Sequence, residues 1–111
     1  MDDFTVVVSD VPTAVVVKIS GEMRIHCEPL EIEMRRVLAR HPKVVVFDLS
    51  ELSFTSSLGM GQLVNCHRNQ KLHGGVMRLA AVQPLVLDSL RRARLLEIMH
   101  DFATVEDAAK V

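Results

Sequence analysis

Serine, threonine and glycine residues are concentrated in one segment of the chain, between positions 48 and 61. It reads Asp48-Leu49-Ser50-Glu51-Leu52-Ser53-Phe54-Thr55-Ser56-Ser57-Leu58-Gly59-Met60-Gly61. The segment follows a continuous apolar run, 44–47, which is typical of a parallel strand covered on both faces. A helical pattern follows it. Because sites in open α/β sheets form at the carboxyl ends of strands, we expect any functional site of this protein here.

Two glycines, Gly59 and Gly61, lie in the first turns of the helical pattern. Glycine inside a helix costs about 1 kcal/mol relative to alanine, which suggests that something approaches this backbone closely. The structural alternative is that Ser56 or Ser57 caps the helix and the glycines relieve packing against the sheet. A small serine hydrolase with Ser57 as nucleophile is a remote alternative. Thr55 stands where the Gly-x-Ser-x-Gly elbow needs glycine, and the sequence places no His–Asp pair to activate the serine.

The elements that must position this segment alternate along the chain. We predict strands at 4–8, 14–19, 43–49, 76–82 and 97–102, and helices at 29–40, 57–72, from 84 onward, and after an N-cap at Thr104. The second helix has Leu58, Leu63, Val64 and Leu72 as core candidates, and Gly74-Gly75 ends it. The order β-β-α-β-α-β-α-β-α predicts an α/β fold. We expect a mixed, mostly parallel sheet of about five strands, opened by an antiparallel hairpin and accompanied by about four helices.

Composition narrows the class of protein. The 111 residues, 49% of them hydrophobic, suffice for one domain, 1–111, without disulfides. A formal net charge of -1, no tryptophan and no tyrosine argue against direct nucleic-acid binding. Apolar runs are strand-length, so we expect no membrane insertion. The acidic start, Met1-Asp2-Asp3, and two distant cysteines, Cys27 and Cys66, favour reduced thiols in the cytoplasm.

At this point the chain resembles the anti-sigma factor antagonists, which are built on the STAS domain. Their signature is an apolar strand ending in Asp-Leu-Ser, then an aromatic residue, a variable residue and Asp-Ser-Ser-Gly-Leu-Gly before an apolar helix. This sequence has Val46-Phe47-Asp48-Leu49-Ser50, then Phe54-Thr55-Ser56-Ser57-Leu58-Gly59-Met60-Gly61. The resemblance extends over nearly the whole chain. It includes Gly21-Glu22-Met23, 74–79, 95–99 and 104–108.

The resemblance implies a bacterial regulatory protein that is switched by phosphorylation and is not itself an enzyme. The phosphorylated serine of the family corresponds to Ser57, with Ser56 as the alternative. A serine kinase that is itself an anti-sigma factor would phosphorylate it, and a phosphatase would restore it. The dephosphorylated form would bind the kinase and release a sigma factor to act in transcription. Partner contacts are expected at Glu22, Arg24, Asp48, Thr55, Ser56, Leu58, Gly59, Met60 and Gly61. We expect no cofactor, and a monomer or weak dimer.

Three positions depart from the family pattern. Ser56 replaces the aspartate that precedes the phosphorylated serine in the family. Leu58 stands directly after that serine, where serine, threonine or alanine is common. Arg24 replaces the aspartate that commonly follows the Gly-Glu-Leu segment. Arg24 could pair with a phosphate on Ser57. The departures leave open an alternative function, a STAS scaffold or a regulatory subunit of a transporter complex without a phosphoswitch.

Two further patterns have simpler explanations. His26-Cys27 and Cys66-His67 are neighbour pairs, which point about 100° apart on a helix and chelate one ion poorly, so we expect no metal site and a packed Cys66. The basic group Arg91-Arg92-Ala93-Arg94, with Arg78 upstream, fits a solvated helix face better than a site for an acidic partner or head group.

Overall fold

A computed structural model describes residues 4–110 and contains a five-stranded sheet with four α-helices. The strands are β1 (Phe4–Val11), β2 (Ala14–Met23), β3 (Val44–Thr55), β4 (Val76–Ala80) and β5 (Asp101–Phe102). The helices are α1 (Glu28–Leu38), α2 (Ser57–Leu72), α3 (Pro84–Arg92) and α4 (Val105–Ala108), with a 3-10 turn at Leu95–Glu97. The predicted order of elements is confirmed. The acidic start of the chain, residues 1–3, lies outside the described residues.

The strands lie in the sheet in chain order, β1-β2-β3-β4-β5. The pair β1–β2 is antiparallel, with Val11 opposite Ala14 at the hairpin turn. All other neighbouring pairs are parallel. The predicted hairpin followed by a mostly parallel sheet is therefore confirmed.

The two faces of the sheet are covered unequally. Helices α1, α2 and α3 pack on one face and bury the larger core, which includes Ile19, Phe47 and Leu79 from the strands together with Leu30, Leu63 and Leu90 from the helices. On the other face the short α4 contributes Ala108 and Ala109 to a smaller cluster with Val16, Val44 and Val46. Because both faces are covered in the middle of the sheet, β3 reads as a continuous apolar run from Val44 to Phe47.

Local signals in the sequence explain the ends of the helices. Pro29 lies in the first turn of α1, where its missing N–H removes no helical hydrogen bond. Thr104 caps α4 by accepting a hydrogen bond from the backbone N–H of Asp107 at 3.1 Å, as predicted. After α2, Gly74 adopts a φ of 83°, a left-handed conformation that favours glycine. Gly75 is needed for another reason: a Cβ there would lie 2.7 Å from the carbonyl oxygen of Pro42.

Two expectations about packing and length were wrong. Leu72 was expected in the core but is 76% exposed, because the last turn of α2 presents Gln70 to the strands instead. The last strand covers only Asp101–Phe102, because residues 95–97 form a 3-10 turn instead.

Gln70 is a buried polar residue that the apolar pattern did not reveal. It is fully buried, and its Nε2 donates hydrogen bonds to the carbonyl oxygens of Pro42 at 2.7 Å and Val76 at 3.3 Å. These two carbonyls flank the start of β3 and the start of β4. The side chain of Gln70 therefore ties α2 to the amino ends of the two central strands.

No helix in the range 4–110 is long and apolar enough to cross a membrane.

We expect Gln70→Ala to lower the free energy of unfolding by about 2 kcal/mol, because it leaves the Pro42 carbonyl without its donor and opens a small cavity. Urea denaturation followed by circular dichroism measures the change. Gln62→Ala is the matched control, since Gln62 is only half-buried and bonds to Glu31 near the surface. The control should change stability by less than about 0.5 kcal/mol. Equal stability of the two variants would contradict a tethering role for Gln70.

Candidate functional site

The segment expected to connect strand and helix is largely strand. β3 was predicted to end at Leu49, but it continues to Thr55. Its first half pairs with both neighbours, whereas its second half pairs with β2 alone, down to Met23 opposite Thr55. Leu49 and Leu52 stay fully buried while Glu51 and Ser53 face solvent. The polar residues that suggested a loop are thus the exposed side of a two-stranded extension, which shifts register twice along β2.

Ser56 is the N-cap of α2. Its hydroxyl accepts a hydrogen bond from the backbone N–H of Gly59 at 3.1 Å and donates one to the carbonyl oxygen of Arg24. Its own backbone N–H donates to the carbonyl oxygen of Met23 at 2.8 Å. Ser56 therefore fixes the first turn of α2 to the end of β2, and its hydroxyl is already used as both donor and acceptor.

Three hydroxyls close to Ser56, at positions 53, 55 and 57, differ in how they are used. Ser53 donates to the carbonyl oxygen of Gly21 at 3.1 Å, and Thr55, which is buried, donates to that of Ser56 at 3.3 Å. Ser57 is the first residue of α2 and is exposed. Across residues 4–110, no atom forms a hydrogen bond with its hydroxyl. Of the hydroxyls at 53, 55, 56 and 57, that of Ser57 alone has no hydrogen bond within residues 4–110 and is available to an outside molecule.

The two glycines have different environments. A Cβ on Gly59 would clash with Oγ1 of Thr55 and would lie 3.0 Å from Cε of Met23. Gly59 is therefore required by packing of α2 against the ends of β2 and β3, as the structural alternative proposed. Around Gly61 there is open space, with nothing within 4 Å of a built Cβ. Only Gly61 leaves backbone accessible from outside.

An apolar surface surrounds the start of α2. Leu58 was expected in the core, but it is 52% exposed, because the helix presents Gly59 and Leu63 to the sheet instead. Ile25 and Phe54 are also exposed. Met60, on the same turn, is half-buried and packs against the main core. Nothing in the sequence pattern identified Ile25, which lies in the connection between β2 and α1.

Arg24 and Glu22 form the charged part of this surface. The Nε atom of Arg24 donates to Oε1 of Glu22 at 2.7 Å, and its guanidinium carbon lies 5.0 Å from the ring centroid of Phe54. Both side chains are roughly half-exposed. Since Ser56 bonds to the carbonyl oxygen of Arg24, this pair is held beside the start of α2.

Asp48 lies apart from the other expected contact residues. It is in the middle of β3, opposite Lys18 and Ala80, and its carboxylate accepts a hydrogen bond from the backbone N–H of Ser50 at 3.0 Å. Six residues of extended chain separate it from Thr55. The structure thus brings Glu22, Arg24, Thr55, Ser56, Ser57, Leu58, Gly59, Met60 and Gly61 together, and it leaves Asp48 elsewhere.

The cysteine and histidine pairs do not form a metal centre in the described part of the chain, where no three potential ligands cluster. Cys27 and Cys66 are buried free thiols. Burial raises the pKa of Cys66 to about 12 and also raises the pKa of Cys27. Cys66 packs in the main core, as expected.

The basic group does not include Arg78. Its guanidinium donates to the carbonyl oxygens of Ala108 and Lys110, so it completes the end of α4 on the opposite face of the sheet from α3. Within the α3 group, Arg92 pairs with Asp88 and Arg94 with Glu97. These ion pairs agree with a solvated helix face.

This fold and this helix start define the class of the protein. The family model of the STAS domain matches residues 5–108. The chain belongs to the STAS domain family. A search of curated proteins finds no match.

Solved structures with the same fold include regulators and a part of a transporter. An anti-sigma factor antagonist from Mycobacterium paratuberculosis is 26% identical, with a TM-score of 0.85 over 95% of this chain and 90% of that one. The anti-sigma factor antagonist SpoIIAA in its unphosphorylated form is 22% identical, with a TM-score of 0.74 over 94% of this chain and 92% of that one. The Bacillus cell fate determinant SpoIIAA is also solved in its phosphorylated form. The murine anion transporter Slc26a9 is 17% identical, with a TM-score of 0.68 over 90% of this chain and 18% of that one. The similarities to SpoIIAA and to Slc26a9 show a shared fold.

We expect Ser56→Ala to lower the free energy of unfolding by about 1 kcal/mol, because the cap of α2 and the bond to Arg24 are both lost. Ser57→Ala should change it by less than about 0.5 kcal/mol. Chemical denaturation of the two variants beside the unchanged chain measures the difference. A larger loss for Ser57→Ala would mean that its hydroxyl, not that of Ser56, supports the helix.

We also expect both cysteines to resist thiol reagents in the folded protein. At about pH 8, a thiol with the pKa of Cys66 is roughly one part in ten thousand thiolate, and burial blocks the reagent as well. Labelling with 5,5′-dithiobis(2-nitrobenzoic acid) should be slow in buffer and rapid in urea. Rapid native labelling of Cys66, located by Cys27→Ser, would contradict the burial of this side chain.

Proposed function

We propose that this protein is a regulator of the anti-sigma factor antagonist type, which binds a serine kinase/anti-sigma factor and is switched by phosphorylation at Ser57. A phosphatase would reverse the switch, and the chain itself would carry out no catalysis. The observation that carries the proposal is the free, exposed hydroxyl of Ser57 beside a Ser56 hydroxyl that already donates and accepts. The family membership and the likeness to the mycobacterial antagonist support it. We place the protein in the bacterial cytoplasm, where kinase and sigma factor act.

The start of α2 suits a phosphate. A phosphoserine adds about -1.5 to -2 charges near neutral pH, and the free N–H groups of a helix start favour anions. The first turn of α2 has no acidic residue that would repel the group. The modification would therefore cost the fold little. The phosphate would instead weaken the binding of a partner at this turn, through its negative charge and its size.

The surface around Ser57 fits a protein partner. Leu58, Phe54 and Ile25 expose apolar area, and Gly61 leaves the backbone of α2 accessible. Arg24 and Glu22 lie beside them and could fix the orientation of the partner. Among the expected contacts, we assign Glu22, Arg24, Leu58 and Gly61 to direct docking. Thr55, Ser56, Gly59 and Met60 act by holding the turn in place, and Asp48 is too distant for a direct contact.

Arg24 gives this chain a particular response to phosphorylation. Its guanidinium is engaged by one exposed carboxylate, that of Glu22, and by the ring of Phe54. Arginine forms stronger, two-pronged hydrogen bonds with phosphate. A phosphate on Ser57 would compete for the guanidinium and draw it away from the docking surface. The charge reversal from the family aspartate would then serve the switch.

The phosphorylation site is tested with a candidate anti-sigma kinase from the same genome, ATP and peptide mass spectrometry. We expect one phosphate, on Ser57, and none after Ser57→Ala. Ser56→Ala is the matched control, and it should keep the phosphate because its neighbour still carries the acceptor hydroxyl. Phosphate on Thr55 or Ser56 in the unchanged chain, or on none of the three, would contradict the assignment.

Partner binding is tested by recovering that kinase with immobilised protein. We expect Ser57→Asp to reduce recovery by about tenfold, the effect of about 1.4 kcal/mol. Ser9→Asp places the same charge on the exposed part of β1 and should leave recovery unchanged. Equal recovery by Ser57→Asp and the unchanged chain would favour the alternative function, a STAS scaffold or a transporter-complex subunit without a phosphoswitch. An esterase assay with Ser57→Ala as control tests the remote hydrolase alternative.

A further inference from the structure

A second surface lies at the other end of α2, roughly 20 Å along the helix from Ser57. Two adjoining hollows of about 440 and 370 Å³ meet there and share His67, Lys71 and Ile98. The smaller hollow is lined by Val64, His67, Arg68, Lys71, Leu72 and Ile98. We call the combined feature the α2 groove. Hollows of this volume are the usual size of small-molecule sites in proteins.

The floor and rim of the α2 groove are apolar. Leu72 and Ile98 are 76% and 45% exposed, and Val76, on the rim of the larger hollow, is 45% exposed. Half-buried Val64 packs against the main core beneath them. These three exposed aliphatic side chains therefore give the groove an apolar lining that could cover the apolar part of a ligand.

The charge around the α2 groove is positive and unneutralised. Arg68 and Lys71 are exposed, and within residues 4–110 neither forms an ion pair. Glu97, the one acidic residue lining either hollow, accepts two hydrogen bonds from Arg94, at 2.6 and 3.3 Å. The two free cations therefore face the groove without a carboxylate partner from the chain.

His67 lies in the wall that both hollows share. Its Nδ1 is buried and has no hydrogen-bond partner among the described residues. Burial, with a smaller contribution from Lys71, lowers the pKa of His67, so the ring is neutral and carries one N–H near neutral pH. A buried polar atom without a partner is unusual and calls for an explanation. Because this atom is closed to solvent, a ligand head group in the groove would meet the exposed cations Lys71 and Arg68 and not Nδ1 of His67.

We propose that the α2 groove binds a small amphipathic anion, an aliphatic chain that ends in a carboxylate. The chain would lie over Leu72, Ile98 and Val64, and the carboxylate would meet Lys71 and Arg68. Charge complementarity selects this class: the same apolar surface with free carboxylates would favour a cation. The groove is separate from the start of α2, so this inference stands independently of phosphorylation at Ser57.

Titration with sodium decanoate, kept below micelle formation and followed by ¹H–¹⁵N correlation spectra, tests the proposal. We expect saturable shifts confined to residues around the α2 groove, and no comparable shifts with decyltrimethylammonium, which has the same tail and the opposite charge. Absence of saturable shifts with decanoate overturns the proposal. Equal binding of the cation overturns it too, since the groove would then be only an apolar patch.

Matched variants test separately the contact with the carboxylate, the contact with the aliphatic chain and the independence from Ser57. Lys71→Glu should weaken decanoate binding by about tenfold or more, whereas Lys43→Glu, the same change on an exposed lysine outside the groove, should leave it within about twofold. Leu72→Ser should weaken it several-fold, and Leu85→Ser, on α3, should not. Ser57→Ala should bind like the unchanged chain. Equal affinities of Lys71→Glu and Lys43→Glu would overturn the placement of the carboxylate.

Discussion

The joint between β2 and α2, made by Ser56, is the interaction on which the rest of the site depends. One residue receives the chain from β3, donates its backbone N–H to Met23, bonds to the carbonyl of Arg24 and caps α2 through Gly59. Each bond fixes a different element. Without them, the first turn of α2 would have free N–H groups and no defined position over the strand ends. The exposed surface around Ser57 has its shape because the hydroxyl and the backbone N–H of Ser56 are both held in hydrogen bonds within the protein.

This joint also separates residues that hold the site from residues that can meet a partner. Gly59 and Thr55 lie on the inner side of the turn, where the space for a Cβ is already filled. Ser57, Leu58 and Gly61 lie on the outer side. Neighbouring residues of a helix point about 100° apart, so a short motif necessarily contains both kinds. The short motif at the start of α2 therefore contains both residues that hold the turn against the strands and residues that a partner can contact.

The sequence was enough to predict the order of elements, the hairpin, the parallel centre and the limits of α2. Those features depend on local signals: the apolar run 44–47, the prolines at helix starts and Gly74 with its positive φ. The extension of β3 to Thr55 could not be predicted, because the polar residues 50–53 look like a loop until β2 is known to pair with them. Leu58 and Leu72 were misplaced for a related reason. Helical spacing gives the relative faces of a helix, but only tertiary packing decides where Gly59 brings it against the sheet. Gln70 was missed because a buried amide has no apolar signature.

The replacement of the family aspartate by Ser56 has a physical meaning at this joint. An aspartate in the cap position can accept from the Gly59 N–H, but an ionised carboxylate cannot donate to the carbonyl of Arg24. The serine hydroxyl does both, so it gains a bond to the end of β2 and gives up a negative charge. With Arg24 in place of a second aspartate, the surroundings of Ser57 become three charges less negative, one from the serine and two from the reversal at Arg24, before any contribution from Glu22. An unmodified Ser57 then lies in a nearly neutral setting, because the charge of Arg24 is balanced by its partner Glu22, and a phosphate on Ser57 would make this setting negative. In a chain with aspartates at both positions, the same phosphate would only deepen an existing negative field.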